Sequence, residues 1–433
     1  MTNRAVAPPQ VPSSVATVVV GAGQAGLAMS RLLGEAGRDH VVLERRTTLG
    51  GGWQDRWDNF RLVTPNWTAS LPGFPYDGPD PDAFMRRDEI VAQVARYAEL
   101  IHAPVKLETD VTRLTARPEG GLTLETTGGV IEADEVVVAT GSYHAPRIPA
   151  LSAALPGRLI QLHSHDYRNV DQLPPGGVLV VGSGQSGVQI AEELLDAGRP
   201  AYLAVGSAGW APRRYRGRDL FRWLAEIAAR GVEVGVPFPT VDKLPDPRAR
   251  HAANPQLTGQ GGGHDVDLRG LAAAGLTLLG RPTAIDGERL GLAPGLSMSL
   301  AAAEQAFHQR FQPLIDRFID QAGIDAPGYE RTLSTFEPPE HEELDLHQAG
   351  ISSVIWATGY RPDFGWIDLP IFDEMGFPRH RRGVTDVQGL YFLGLLWQHT
   401  QASSTLIGPR LDAPHLLEAM GLRVAKDVPV LAG

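Results

Sequence analysis

One phosphate-binding device occurs twice in this chain, and it constrains the fold more than any other feature. Residues 18–20 (VVV) and 178–181 (VLVV) read as short buried strands. Each is followed by G-x-G-x-x-G, first at Gly21, Gly23 and Gly26, then at Gly182, Gly184 and Gly187. A helical apolar pattern comes next: Leu27, Leu32 and Leu33 in one copy, Ile190, Leu194 and Leu195 in the other. The glycines have separate jobs. One makes a tight turn, one lets backbone approach a pyrophosphate, and one lets helix pack closely on strand. The pyrophosphate rests on unpaired N–H groups at the helix start, so Gln24, Ala25, Gln185 and Ser186 join the glycines as expected contacts. One such loop is weak evidence. Two, about 160 residues apart, specify an α/β chain with two Rossmann-like dinucleotide-binding domains. Two dinucleotides in one chain imply electron transfer between them.

Composition narrows the chemistry. The 433 residues suffice for two or three domains with real cores. A net charge of −11 argues against nucleic acid as a partner. Residues 1–14 read as a polar tail without a signal-peptide core, and no apolar run reaches membrane-spanning length, so a cytoplasmic enzyme is expected. The chain has no cysteine, which excludes a redox-active cysteine pair. Lys106, Lys243 and Lys426 are its only lysines, a poor basis for Schiff-base chemistry.

Along the chain, the first domain is expected over 1–170, a second domain inserted into it over 171–345, and a return to the first over 346–433. Glu44 lies 23 residues beyond Gly21, where a carboxylate accepts from an adenosine ribose; a solvated strand end is the other reading. Gly51 and Gly52 before Trp53 suit backbone lying flat against a planar ring. The strand ending in Ala139-Thr140-Gly141 recurs as Ala357-Thr358-Gly359-Tyr360, so Thr140, Gly141, Thr358 and Gly359 are expected beside the cofactors. His163 and His165 lack further ligands at metal spacing, and their segment reads as a connector with no metal. The 23-residue offset from Gly182 lands on Val205, near Ser207, with no carboxylate. Downstream Arg213 and Arg214 suit a 2′-phosphate, favouring NADPH, or else a solvated basic loop. The Pro/Gly-rich residues 231–300 read as an irregular lid or binding loop. A helix over 301–322 should kink before Pro313, with His308 packed or exposed, and 337–343 should be a solvated acidic loop. A strand over 389–396 leads through Gly394 to Thr405 and Leu406, whose N–H groups point at a cofactor ring.

Together these residues resemble the class B flavin-dependent monooxygenases, a group that includes the flavin-containing monooxygenases and the plant YUCCA enzymes. The resemblance covers nearly the whole chain. It rests on the two glycine loops, Glu44, Gly51-Gly52-Trp53, His163, Tyr167 and Ala357-Thr358-Gly359-Tyr360. It implies FAD on the first loop and NADPH on the second, with Arg45, Thr64 and Val111 among the cofactor contacts. Of the family's F-x-G-x-x-x-H-x-x-x-[YF], His163 and Tyr167 match, while Gly157 and Leu159 fill the Phe and Gly slots. In D-x-x-x-[FL]-A-T-G-Y, Ser352 replaces Asp and Trp356 replaces Phe or Leu. Tyr167, where Baeyer–Villiger enzymes carry Trp, tilts the expectation toward N- or S-oxygenation.

The implied reaction passes hydride from NADPH to FAD and oxygenates a small organic substrate with O2 through a flavin C4a-(hydro)peroxide. Asn66 falls about where the flavin-containing monooxygenases place a peroxide-stabilising asparagine and is the expected catalytic residue; read alone, it equally suits a turn after Pro65. Rival readings are an NADPH-dependent oxidase or reductase without oxygen insertion, and a nucleotide-sensing regulatory flavoprotein. The sequence leaves a homodimer open.

Overall fold

The computed structural model describes residues 10–423, so most of the expected N-terminal tail and Lys426 lie outside the described residues. Ser14, placed in that tail by the sequence reading, already opens the first strand.

The first sheet is built on β1 (Ser14–Val20), α1 (Gln24–Glu35) and β2 (His40–Leu43). β1 lies between β2 and β3 (Gly129–Val138), parallel to both, with Val18 beside Val41 and Val136. One half of β3 pairs antiparallel with Leu122–Thr126, the other parallel with a late strand, Leu390–Phe392. The tail therefore returns to the first sheet. The apolar strands are buried on both faces, as a covered parallel sheet requires. Val19, Val42 and Val137 face α1, whereas Val18, Val41 and Val136 enter the opposite core.

The second sheet has five parallel strands. At its centre β4 (Gly177–Val181), fully buried, precedes α2 (Gln185–Asp196) and β5 (Ala201–Ala204). β6 (Ile351–Trp356) lies on the other side of β4 and pairs outward with Ile160–His163. By sheet membership the second unit thus begins before 171 and ends after 345. Local apolar patterning does not mark where a chain crosses between sheets.

Residues 231–300 are less irregular than their composition suggests. From residue 268 they hold a helix, Leu268–Ala273, the strands Thr277–Leu279, Pro282–Asp286 and Arg289–Leu292, and the start of a helix, Leu296–Arg310. Gly275 and Gly287, both at positive φ, serve as turns between these short elements. The expected kink is present: Leu296–Arg310 gives way to Gln312–Gln321, with Pro313 in the first turn of the second helix. The acidic stretch near 340 is engaged rather than merely solvated. Glu337 pairs with Arg269 at 2.8 Å, and Glu340 accepts from the N–H of Ser297 at 3.0 Å.

Candidate functional site: two matched dinucleotide cradles

The two glycine loops agree closely in the space around each glycine. Gly21 has φ 103°, and a Cβ there would stand 2.8 Å from the Ala139 carbonyl oxygen. Gly182 has φ 108° and stands in the same relation to the Ala357 oxygen, at 2.6 Å. Each Ala-Thr-Gly segment therefore packs on its own glycine turn. A Cβ on Gly26 would lie 1.8 Å from the Gly21 oxygen, and one on Gly187 would lie 1.8 Å from that of Gly182. These third glycines let helix meet strand. Gly23 and Gly184 differ in kind: a Cβ on either meets nothing within 4 Å. Both sit at the N-cap of their helix with extended backbone and no side-chain cap. Free N–H groups and open space at a helix start fit a pyrophosphate.

Several segments complete the first cradle. Glu44 is buried at the end of β2, accepting from the N–H of Ala22 (2.9 Å) and of Arg46 (3.0 Å). That rules out a solvated strand end and leaves carboxylate lone pairs at the glycine turn. Arg45 is exposed beside it. Thr109 donates its N–H to the Glu44 carbonyl, and buried Val111 follows. Gly51, at φ 56°, brings its backbone against Gly23, while Gly52 faces open space. The Trp53 indole N–H donates to Gln24 at 3.1 Å. Gly394, at φ 87°, comes within van der Waals reach of the Ala25 side chain, and Thr405 and buried Leu406 precede the helix Gly408–Ala419. Thr140 bonds His144 at 3.1 Å, and Gly141 has φ 82°.

In the second unit, the Ser183 hydroxyl accepts from the N–H of Gly206 (2.9 Å), and Ser207 is exposed just beyond β5. Thr358 donates to the Arg147 carbonyl, and Gly359 accepts from His163 Nε2 at 2.9 Å. His163 Nδ1 accepts from the N–H of His165, so both ring nitrogens serve backbone. This histidine fastens the end of Ile160–His163 to the second Ala-Thr-Gly loop. Tyr167 is fully buried.

Arg213 and Arg214 separate. Arg213 is buried; its Nε donates to Asp219 at 2.7 Å and its Nη1 to the Val63 carbonyl at 2.6 Å. Its guanidinium lies between Phe84 (4.6 Å) and Phe221 (5.3 Å). Burial lowers its pKa from the ordinary value, against the opposing pull of Asp219. Arg216 and Arg218 are likewise paired, with Asp316 and Glu226. The basic run is therefore mostly spent on internal partners, and Arg214 is left exposed. The sequence shows the cations but not the carboxylates that claim them.

Asn66 is buried, and its amide donates to the Asp80 carbonyl (2.9 Å) and the Tyr76 hydroxyl (3.2 Å). Its Oδ1 is buried without a partner. Thr64, also buried, accepts from Thr68 at 2.8 Å. The loop holding these residues is bridged to the second unit through Arg213 and Val63.

The residues that the sequence reading missed lie in the segment 241–265, which spans the two units. Gln256, buried, donates to the Ser183 carbonyl (2.8 Å), and Gln185 donates to the Pro255 carbonyl (3.2 Å). Beside these, Gln401 donates to Asn254 (2.9 Å), and at the segment's start Val241 N–H donates to the His399 carbonyl (2.8 Å). Buried Gln398 accepts from Gly394 N–H at 2.9 Å. No local motif announces a glutamine such as Gln256, whose partner is 73 residues away.

The segment closes on α2 through His264, whose Nε2 meets Glu192 at 2.9 Å. Hydrogen bonding to Glu192 raises the His264 pKa. A raised folded value means stability that is complete below the ordinary imidazole range and lost as pH rises through the folded pKa. Because His264 is 47% exposed, the contribution is at most ~1 kcal/mol. His264→Ala is expected to flatten that part of the stability–pH curve, measured by urea melts from mildly acidic to alkaline pH. An unchanged curve would remove the latch.

Among the described residues no group of side chains could hold a metal ion, and no helix is long and apolar enough to cross a membrane. A family model described as pyridine nucleotide-disulphide oxidoreductase matches residues 18–228. The chain is 31% identical over 406 residues to a CzcO-like oxidoreductase of Geobacillus kaustophilus, covering 93% of this chain and 97% of the relative. It is 29% identical over 218 residues to the indole-3-pyruvate monooxygenase YUCCA1 of Oryza sativa, covering 48% of this chain and 53% of that one. A flavin-containing monooxygenase structure from Stenotrophomonas maltophilia superposes with a TM-score of 0.65 at 22% identity, covering 95% of this chain and 99% of that one. The fold and its paired cradles define a two-dinucleotide oxidoreductase. The chain belongs to the CzcO-like oxidoreductases.

Proposed function

We propose that this enzyme uses NADPH and O2 to insert one oxygen atom into a nucleophilic nitrogen or sulfur of a small organic substrate. The observation that carries the reading is the pair of matched cradles, each open only at its second glycine, joined by a segment bonded to both units. FAD belongs in the first, where Glu44 can accept from a ribose and Gly51, Trp53 and Gly394 gather beside the helix start. NADPH belongs in the second, where Ser207 and Arg214 can meet a 2′-phosphate and no carboxylate repels it. When bound, these cofactors supply hydride transfer and oxygen activation. With no cysteine, a dithiol relay is excluded.

The chain's own task is to orient and keep dry. Asn66 is the proposed donor at the oxygen-activating face, exchanging its longer bond to Tyr76 while keeping Asp80. Asn66→Ala is expected to preserve NADPH-driven flavin reduction but release several times more hydrogen peroxide per NADPH, read by stopped-flow absorbance and a peroxide assay. Unchanged coupling would remove Asn66 from the mechanism. The function itself is tested by screening amines, sulfides, ketones and arylpyruvates for oxygen uptake matched by oxygenated product. Peroxide equal to NADPH consumed with every substrate would instead make this an oxidase.

A further inference from the structure

Two short basic runs sit in a chain of net charge −11: Arg248-Ala249-Arg250-His251 in the bridging segment, and Arg379-His380-Arg381-Arg382 before the last strand. They meet over one aromatic ring. The Arg250 guanidinium lies 4.9 Å from the centre of Phe377, His251 meets that ring edge-on at 5.3 Å, and His380 stands 6.0 Å away. Phe377 itself is fully buried.

Basic groups gathered against apolar surface are costly unless an anion completes them. The nearby carboxylates are hydrogen-bonded within their own loops. Asp246 forks onto Arg248, at 2.8 Å to its Nη2. Asp373 Oδ1 accepts from the N–H groups of Met375 and Phe377, each at 2.9 Å. Asp373 attracts the Arg250 guanidinium electrostatically, but among the described residues no carboxylate lies within ion-pair distance of it. Its Nε donates to the Pro247 carbonyl at 3.0 Å, and among the described residues its two terminal amino groups form no protein hydrogen bond. His380 Nδ1 accepts from Gly383 N–H at 3.1 Å, which puts the ring hydrogen on Nε2. That Nε2 is buried and unpartnered. Burial and Arg250 together hold His380 at about 4, so it is a neutral donor at physiological pH.

We propose that Arg250 and His380 form a binding site for a small multivalent oxyanion, a polycarboxylate or a phosphate ester, seated at the edge of Phe377. Arg250 offers a two-pronged planar donor, His380 adds a third N–H, and exposed Arg381 supplies long-range attraction. The inference uses none of the glycine-loop residues and stands apart from the oxygenation reading. An anion here would tie the bridging segment to the first unit, six residues before its Gln256 contact with the second glycine loop.

Isothermal titration of the FAD-loaded enzyme, with NADP⁺ saturating so that neither cradle can take the probe, tests this with citrate and with pyrophosphate. Saturable one-to-one binding is expected, weakened at least tenfold in Arg250→Gln and in His380→Gln and unchanged in Arg281→Gln, an exposed arginine outside both basic runs. Binding of citrate alone identifies a carboxylate ligand, and of pyrophosphate alone a phosphate. Binding of neither, or equal affinity in the parent and both variants, overturns the site. If the variants do not fold, the unsubstituted enzyme still decides the matter. Whichever probe binds should slow phenylglyoxal modification of Arg250, followed by mass spectrometry, and an unprotected Arg250 refutes the proposal.

Discussion

A chain carrying Gly23→Val is expected to fold with the parent's far-UV circular dichroism and to emerge from purification colourless. Gly23 has φ −76° and ψ −175°, extended backbone that valine accepts, and its Cβ would point into open space. Nothing in the protein resists the side chain, but the pyrophosphate needs that space. Charge-assisted hydrogen bonds are worth roughly 1.5–3 kcal/mol each. Displacing two of them lowers flavin affinity by at least about 100-fold, at ~1.4 kcal/mol per decade. Gly26→Val should behave in the opposite sense. Its Cβ would fall 1.8 Å from the Gly21 oxygen, a backbone collision beyond the ~1–3 kcal/mol typical of an overpacked core. That variant should be poorly folded whether or not flavin is supplied. Absorbance near the flavin band, read beside circular dichroism, separates the two. A yellow Gly23→Val protein would sink the cradle assignment, and a stable Gly26→Val protein would sink the packing argument.

The second large effect concerns Arg213. Its removal leaves Asp219 without its cation and Val63 without a donor, between two rings that had enclosed a guanidinium. Breaking a buried pair from one side costs about 3–5 kcal/mol. Asp219 also caps the helix Leu220–Arg230 by accepting from Phe221 N–H at 2.8 Å, so the damage should spread to that helix. Arg213→Ala is therefore expected to lose much of its denaturant resistance, with NADPH and NADH affected alike. Arg214→Ala is expected to keep its stability. It should raise the NADPH requirement up to about fivefold relative to NADH, the scale of one exposed ion pair. Urea melts and paired steady-state titrations distinguish them. Coenzyme discrimination lost through Arg213 with stability intact would reverse these roles.

Where chemistry is local, the sequence is readable. The glycine loops, the Ala-Thr-Gly repeats and Glu44 each depend on a turn, a helix start or a strand end within a few residues, and all fall where their spacing places them. Asn66 is local too, yet its donors are claimed by Tyr76 and Asp80 in a loop whose path no periodicity specifies. Arg213 shows the limit more sharply. Four arginines in six residues look alike in sequence, and their fates differ only because Asp219, Asp316 and Glu226 take up three of them.

The sequence alone determined two glycine-lined strand–turn–helix junctions, because only glycine permits those turns and contacts. Tertiary structure decided which strand belongs to which sheet, which cations remain available, and that residues 241–265 link the cradles. Those outcomes rest on pairings between residues far apart in the chain, whose energies exist only once the backbone has brought them together.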